Sequence, residues 1–458
     1  MSNPVETINP ATEETLNKYT LLSEKEALNA VDNAHTSYQD WRKTSFADRA
    51  KLFHSLADLI EARSDELTKL MTSEMGKVLA QGKQEVALCA KICRYTADHA
   101  EEVLADENRV YEEGTAIISY QPIGVILGIQ PWNFPLYQVI RYSASTIMAG
   151  NVTVLKHAGN VFGMAQAVQQ LYEDAGFPKN VYQSLLIDGE TASKLITHQS
   201  IRGVSFTGSD EVGKSVAEKA GSQAKKSVME LGSNDAFIVL ADADIDTAVE
   251  ACVQGRIINN GETCVAAKRF VIVEEVFDEF RDAFLAACKK LKMGDPTRDD
   301  TDIGPMARED LRDELHKQVQ KSIKEGAKCI LGGEVPDQKG WYYPVTVLES
   351  VTEGMPAYDD ELFGPVASLI KAKDTKDAMR IANDSRYGLG GGIFTADRDE
   401  AIRLARDEFD TGMININGYA LAQPNLPFGG VKDSGYGREH GGFGMREFVN
   451  VKTLMIAN

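Results

Sequence analysis

The chain has 458 residues, 43% of them hydrophobic and 26% charged, an ordinary globular make-up with room for about two or three domains. Its 49 basic against 68 acidic residues leave a net charge of −19. A surface of that sign repels nucleic acid and anionic lipid, which discounts both as partners.

The opening "MSNPVETINPATEE" is polar and acidic, with no basic and apolar leader, so a cytoplasmic protein is expected. From about 24 to 105, apolar residues recur at three- and four-residue spacing, which predicts amphipathic helices. Cys89 and Cys93 fall one turn apart there and read as a packed helix face. The six cysteines include no C-x-x-C pair and the seven histidines no cluster, so reduced thiols and no metal are expected. From 117 onward short apolar runs ("IGVILGI", "NVTVLK", "VYQSLLI", "IRGVSFTG") alternate with helical stretches, the pattern of β-α-β units and a parallel sheet. The longest apolar run, Ile123 to Ile129, is far too short to cross a bilayer. A second set of strand-like runs follows Glu230, from "AFIVL" to "GMININ", and puts a domain boundary near 230–232. The apolar, β-prone tail "FVNVKTLMIAN" is expected to pair with another strand, with a partner subunit as one source.

Within "FTGSDEVGKS" the pattern G-x-x-x-x-G-K-S matches a phosphate loop. Asp210 and Glu211 would oppose an ATP–Mg site there. The stretch reads better as a helix start, with Ser209 as N-cap, Val212, Val216 and Ala217 partly buried, and free N–H groups that can hold one pyrophosphate. Lys214 is then a bystander.

Three further stretches carry chemistry. In "NNGETCVAAKRF", Cys264 stands in a polar segment between a helix and a strand, where a thiolate would be an accessible nucleophile. In "SVMELGSNDAF", Glu230 ends a strand-like run and is a candidate general base. In "GIQPWNFPLYQVIR", Trp132 and Asn133 occupy a Pro-rich turn at a strand end, and the Asn133 amide is a candidate oxyanion donor. Arg141, on the helix that follows, is either a clamp for a distal carboxylate or one half of a surface ion pair.

Taken in order with "INPATEE", "KMGDP", "ELFGPV" and "PFGGVKDSGYGRE", these stretches resemble the aldehyde dehydrogenase superfamily over nearly the whole chain. The resemblance implies an α/β fold with a Rossmann-like cofactor domain (1–108 and 122–230, with 429–442 returning to it). It adds a catalytic domain (231–428) and a small β oligomerisation arm (109–121 and 443–458) that makes a homodimer or homotetramer. It assigns Cys264 as the nucleophile that forms a thiohemiacetal and then a thioester, Asn133 and the Cys264 N–H as oxyanion donors, and Glu230 as activator of the hydrolytic water. For NAD or NADP it implies Lys156 and Glu361 on the two riboses, Ser209 on the pyrophosphate, and Phe363 beside the nicotinamide. Trp132, Gly208, Gly213 and Leu231 complete that site.

The chain departs from the family pattern at several points. Ser233 replaces a glycine, and Glu262 replaces a glutamine and is expected to point away from the thiol. Gly159 stands where NAD-preferring members carry a Glu, which leaves NAD and NADP both open, with His157 as a possible helper for a 2′-phosphate. "PWNFPLYQVIR" and "KHAGNVFG" are similar to short bacterial succinate-semialdehyde dehydrogenases, which makes succinate semialdehyde the expected substrate and another short aliphatic aldehyde the alternative. A second arginine of the better-known branch is replaced by Ile258, although Arg256 lies nearby. Coenzyme-A-acylating, Cys–His hydrolase and phosphate-loop NTPase readings fit less well. The first generally lacks the Glu230 base, the second finds no base beside Cys264, and the third meets Asp210 and Glu211.

Overall fold

The computed structural model describes residues 4–457; residues 1–3 and Asn458, at the ends of two of the expected domain ranges, lie outside them. Four helices follow an N-terminal hairpin (Val5–Ile8 and Thr15–Tyr19): Glu24–Trp41, Phe46–Ala62, Ser64–Met75 and Leu79–Val103. The first opens on a capping box in which Ser23 and Glu26 satisfy each other's backbone N–H groups, and it buries Ala27, Val31, Ala34, Tyr38 and Trp41 along one stripe. Cys89 and Cys93 are buried in the fourth, as their spacing predicts.

A six-stranded sheet carries the first half of the chain. Its order is Gly435–Tyr436, Lys226–Glu230, Ile201–Thr207, Val125–Gln130, Val152–His157, Tyr182–Ser184. All pairings are parallel except the edge strand Gly435–Tyr436, which returns from far along the chain to lie antiparallel to Lys226–Glu230. Val125, Ile126 and Leu127 are wholly buried, as expected of a parallel strand covered on both faces. The chain runs outward from Val125–Gln130 in one direction and then returns to build the other side. The carboxyl ends of Val125–Gln130 and Ile201–Thr207 therefore flank a topological switch point, where open α/β sheets bind ligands. The "PWNFP" turn and the "TGS" turn sit at those two ends.

The second half forms a seven-stranded sheet in the order Lys328–Leu331, Thr346–Glu349, Val366–Ala372, Arg269–Val273, Ala236–Val239, Gly391–Phe394, Asn415–Ile416. It is parallel apart from the antiparallel pair at the Lys328–Leu331 edge. The tail strand Val449–Ala457 pairs antiparallel with Gly114–Pro122 of its own chain, and Glu107–Tyr111 completes that three-stranded sheet. The tail strand leaves Val451, Leu454, Met455 and Ile456 exposed. Among the described residues, no helix is long and apolar enough to cross a membrane.

Candidate active site

Cys264 lies on the loop between the helix Ile245–Ile257 and the strand Arg269–Val273. The approach to it is unusual. Asn259, Asn260 and Gly261 take successive positive φ values of 54°, 56° and 78°, a left-handed path that Asn and Gly tolerate best. A Cβ at Gly261 would strike the backbone of Gly364 and Pro365. Side-chain bonds fix the path: Asn259 Nδ2 donates to the carbonyls of Asn133 (2.8 Å) and Glu262 (3.0 Å), and Asn260 Nδ2 to those of Gly76 (3.1 Å) and Pro305 (3.0 Å). Glu262 does point away from the thiol, its carboxylate accepting the Ala307 N–H at 3.0 Å.

Two cavities meet at Cys264. One, of about 250 Å³, is lined by Trp132, Asn133, Gly208, Ser209, Leu231, Glu361 and Phe363, so six of the eight residues expected at the cofactor share one wall with the nucleophile and Asn133. Trp132 and Phe363 meet edge to face, with centroids 5.9 Å apart. Lys156 and Gly213 are not in that wall. Lys156 lies one strand over, with burial lowering its pKa and Asp188 opposing the shift. Gly213 is a packing glycine, since a Cβ there would collide with the Leu231 side chain.

Ser209 is the N-cap of the helix Asp210–Ser222, as expected, but its hydroxyl makes no cap bond, so the first-turn N–H groups are open to an anion. One detail of the expected helix face is corrected, while Val216 and Ala217 pack against the core as expected. Val212 is exposed (51%), because the first turn faces solvent, while Val216 is buried. The acidic first turn is partly neutralised from outside by the Arg386–Asp210 ion pair. Lys214 turns away to Asp433 at 2.9 Å, a bystander as the sequence implies. His157 is also corrected: it is buried, bonds to the Pro135 carbonyl (2.8 Å), and is held down to about 4 by burial, so it is a neutral brace rather than a phosphate ligand.

The other cavity is smaller, about 50 Å³, and is lined by Phe134, Tyr137, Gln138, Arg141, Ile258, Phe428 and Cys264 among others. Arg141 is 1% exposed, so the surface ion pair is excluded. It pairs instead with buried Glu439, donates to Thr207 Oγ1 at 3.1 Å, and is sandwiched between the Tyr137 and Phe428 rings at 5.2 and 4.7 Å. Burial works against its charge, but Glu439, Tyr137 and Glu230 outweigh burial and hold the guanidinium protonated. Arg256 is no second clamp: its guanidinium is spent on the carbonyls of Val366 (3.1 Å) and Gly261 (2.8 Å).

Burial pushes the Cys264 thiol up to about 11, with Arg141 and Lys268 pulling the other way. Glu230 is 2% exposed, outside both cavity walls, and neither of its carboxylate oxygens has a hydrogen-bond partner. Burial raises its pKa well above the carboxylate range, with Arg141 opposing and Glu439 adding to the shift. Asn133 Nδ2 donates to the Glu262 carbonyl at 3.1 Å, which ties it to the cysteine loop. Glu361 pairs with Lys268 (2.8 Å) and accepts from the Ser233 N–H (3.1 Å), so the Ser233 departure leaves that turn intact.

Sequence reasoning missed several supporting residues. Lys268 also donates to the Cys264 carbonyl at 2.5 Å. Buried Lys77 holds the Asn133 carbonyl at 3.0 Å while its partner Glu85 accepts the N–H groups of Leu136 (3.0 Å) and Tyr137 (2.9 Å), clamping the turn that carries Asn133. Glu439 and Phe428 come from the C-terminal return, inside the "PFGGVKDSGYGRE" stretch, but nothing in that stretch pairs them with Arg141. Gln138 was findable, because it sits one helical turn before Arg141 on the same helix.

A Rossmann-like sheet whose switch point opens on a cysteine from a second α/β unit defines the class as a dinucleotide-dependent oxidoreductase. Residues 1–454 match the aldehyde dehydrogenase family, and the chain belongs to that family. It is 44% identical over 457 residues (99% of this chain, 100% of the other) to a protein of Mycobacterium tuberculosis named succinate-semialdehyde dehydrogenase [NADP(+)] 1. It is 45% identical over 447 residues (98% and 96%) to the succinate semialdehyde dehydrogenase [NAD(P)+] of Escherichia coli K12. The crystal structure of succinic semialdehyde dehydrogenase from Streptococcus pyogenes in complex with NADP+ superposes with a TM-score of 0.97 at 36% identity, covering 99% of this chain and 100% of that one.

Proposed function

We propose that the protein oxidises succinate semialdehyde to succinate with NADP or NAD, with Cys264 as nucleophile. The observation that carries the reading is the meeting of two unlike cavities at Cys264: one fits a dinucleotide, the other a short aldehyde. The Cys264 thiolate attacks the aldehyde carbon, and the oxyanion is held by the Asn133 side chain and the Cys264 N–H. When bound, the nicotinamide dinucleotide supplies the hydride acceptor. A thioester then remains on Cys264. Glu230, whose oxygens have no hydrogen-bond partner and which burial favours in the neutral form, must first ionise and then takes a proton from the water that hydrolyses it. The thiol is held protonated at rest, so it passes its proton to solvent water before attack.

The open helix start at Ser209 and the Trp132–Phe363 corner support binding of a dinucleotide's pyrophosphate and ring there, and we assign Glu361, in the same wall, to the nicotinamide ribose. Gly159 puts no carboxylate beside Lys156, which supports acceptance of NADP. Arg141 gives the narrow cavity its one buried cation and would draw the distal carboxylate of the substrate. On this reading the six-stranded unit is the cofactor domain, the seven-stranded unit is catalytic, and the exposed apolar tail strand is the arm that joins subunits of a cytoplasmic homodimer or homotetramer.

Nicotinamide reduction with succinate semialdehyde, followed by absorbance, tests the reading. Turnover lost in Cys264→Ala and kept in Lys214→Ala supports it. An ATPase lost in Lys214→Ala and untouched in Cys264→Ala overturns it.

A further inference from the structure

Three polar side chains follow at four-residue spacing where the helix Leu79–Val103 begins: Lys77 just ahead of it, Gln81 in its first turn and Glu85 one turn on. Lys77 holds the Asn133 carbonyl, and Glu85 holds the N–H groups of Leu136 and Tyr137. Gln81 reaches the cysteine loop instead. Its Oε1 accepts the N–H of Asn259 at 2.6 Å. Asn259 is the first of the three left-handed residues ahead of Cys264, and a backbone N–H turned out of a helix there still needs an acceptor. Asn259 in turn grips Asn133 at two points. Its Nδ2 donates to the Asn133 carbonyl (2.8 Å) and to the Glu262 carbonyl (3.0 Å), and that Glu262 carbonyl also accepts the Asn133 side-chain amide (3.1 Å). Asn133 and Asn259 are buried and Gln81 is half-buried. Gln81 thus reaches the oxyanion amide through Asn259.

We propose that Gln81 is a positioning residue for the oxyanion: by fixing Asn259 it sets where the Asn133 amide nitrogen stands when the oxyanion forms. The inference rests on Cys264 as the nucleophile and on Asn133 as an oxyanion donor. Attack on the aldehyde and hydrolysis of the thioester both pass through an oxyanion on the same carbon. A displaced amide therefore lowers kcat whichever of the two steps is slower. Gln81 itself moves no proton and forms no bond in either step. A small displacement is enough, since catalytic donors act only over a narrow range of geometry.

Steady-state kinetics with succinate semialdehyde test it. Gln81→Leu, which removes the acceptor, should lower kcat about tenfold, less than outright loss of the donor, with the dinucleotide KM within about twofold of native. Gln81→Glu, which keeps an oxygen for the same N–H, should stay within about threefold of the native kcat. A double-mutant cycle separates positioning from general support: in an Asn133→Ala background, Gln81→Leu should cost less than about twofold, because the group it positions is gone. A merely structural role costs the same factor in both backgrounds, so an undiminished loss there overturns the inference. So does a native kcat in Gln81→Leu, or a loss carried by the aldehyde KM alone, which would make Gln81 a wall contact of the substrate. A native kcat in Asn133→Ala, or native turnover in Cys264→Ala, would instead sink the reading on which this inference rests.

Discussion

The two cavities that meet at Cys264 are built by opposite means. The wider one is made of turns at strand ends, with glycines, a helix start and one aromatic corner. Its residues come from short contiguous motifs, because a dinucleotide is gripped largely by backbone at the switch point of a parallel sheet. The narrow one is made of side chains from two helices (Leu79–Val103 and Tyr137–Met148), the cysteine loop and the C-terminal return, held around a buried ion pair between Arg141 and Glu439. The first is a generic grip, the second a selective one. Changes to the wide cavity should therefore alter cofactor binding, and changes to the narrow one should re-rank substrates.

The largest effect falls where the cavities join. Cys264→Ala should remove turnover by at least about 10³-fold while dinucleotide binding, read by fluorescence titration, stays within about twofold. Asn133→Ala should cost about 10²- to 10³-fold in kcat, the usual worth of an oxyanion donor. Arg141→Met should lower kcat/KM for succinate semialdehyde by about 10²-fold more than for butanal, separating the selective cavity from the shared chemistry. That variant also strands Glu439, so an unfolding cost of about 3–5 kcal/mol is expected, relieved in part by adding Glu439→Gln. Gly213→Ala should do the reverse: displacement of Leu231 should raise the dinucleotide KM a fewfold with substrate ranking unchanged. Last, Cys264 alkylation by iodoacetamide should rise about tenfold per pH unit from 8 to 10 and level off near about 11, because burial holds the thiol protonated below that. A plateau at pH 7 would mean the resting site activates the thiol by itself.

The same contrast explains what could be read from the sequence. The alternating strands, the parallel sheet and the helical N-terminal quarter follow from local periodicity, and most residues of the wide cavity follow from the family resemblance that the strand-end motifs carry. The N-terminal hairpin was not legible, because "VETI" and "TLNKY" are short and polar. The sequence left Arg141 between a clamp and a surface ion pair. Whether it is buried depends on Phe428 and Glu439, which approach from the far end of the chain. Arg256 and His157 looked like ligands by position and proved to be braces, since each finds backbone carbonyls that only the fold brings within reach.

Intact-protein and peptide mass spectrometry of Glu230→Gln, after mixing with succinate semialdehyde and NADP, addresses the central claim most directly. With deacylation slowed, one hydride equivalent should appear per subunit, and one succinyl group should be found on the peptide carrying Cys264. Continued steady-state turnover with no adduct, or an adduct on another cysteine, would contradict it.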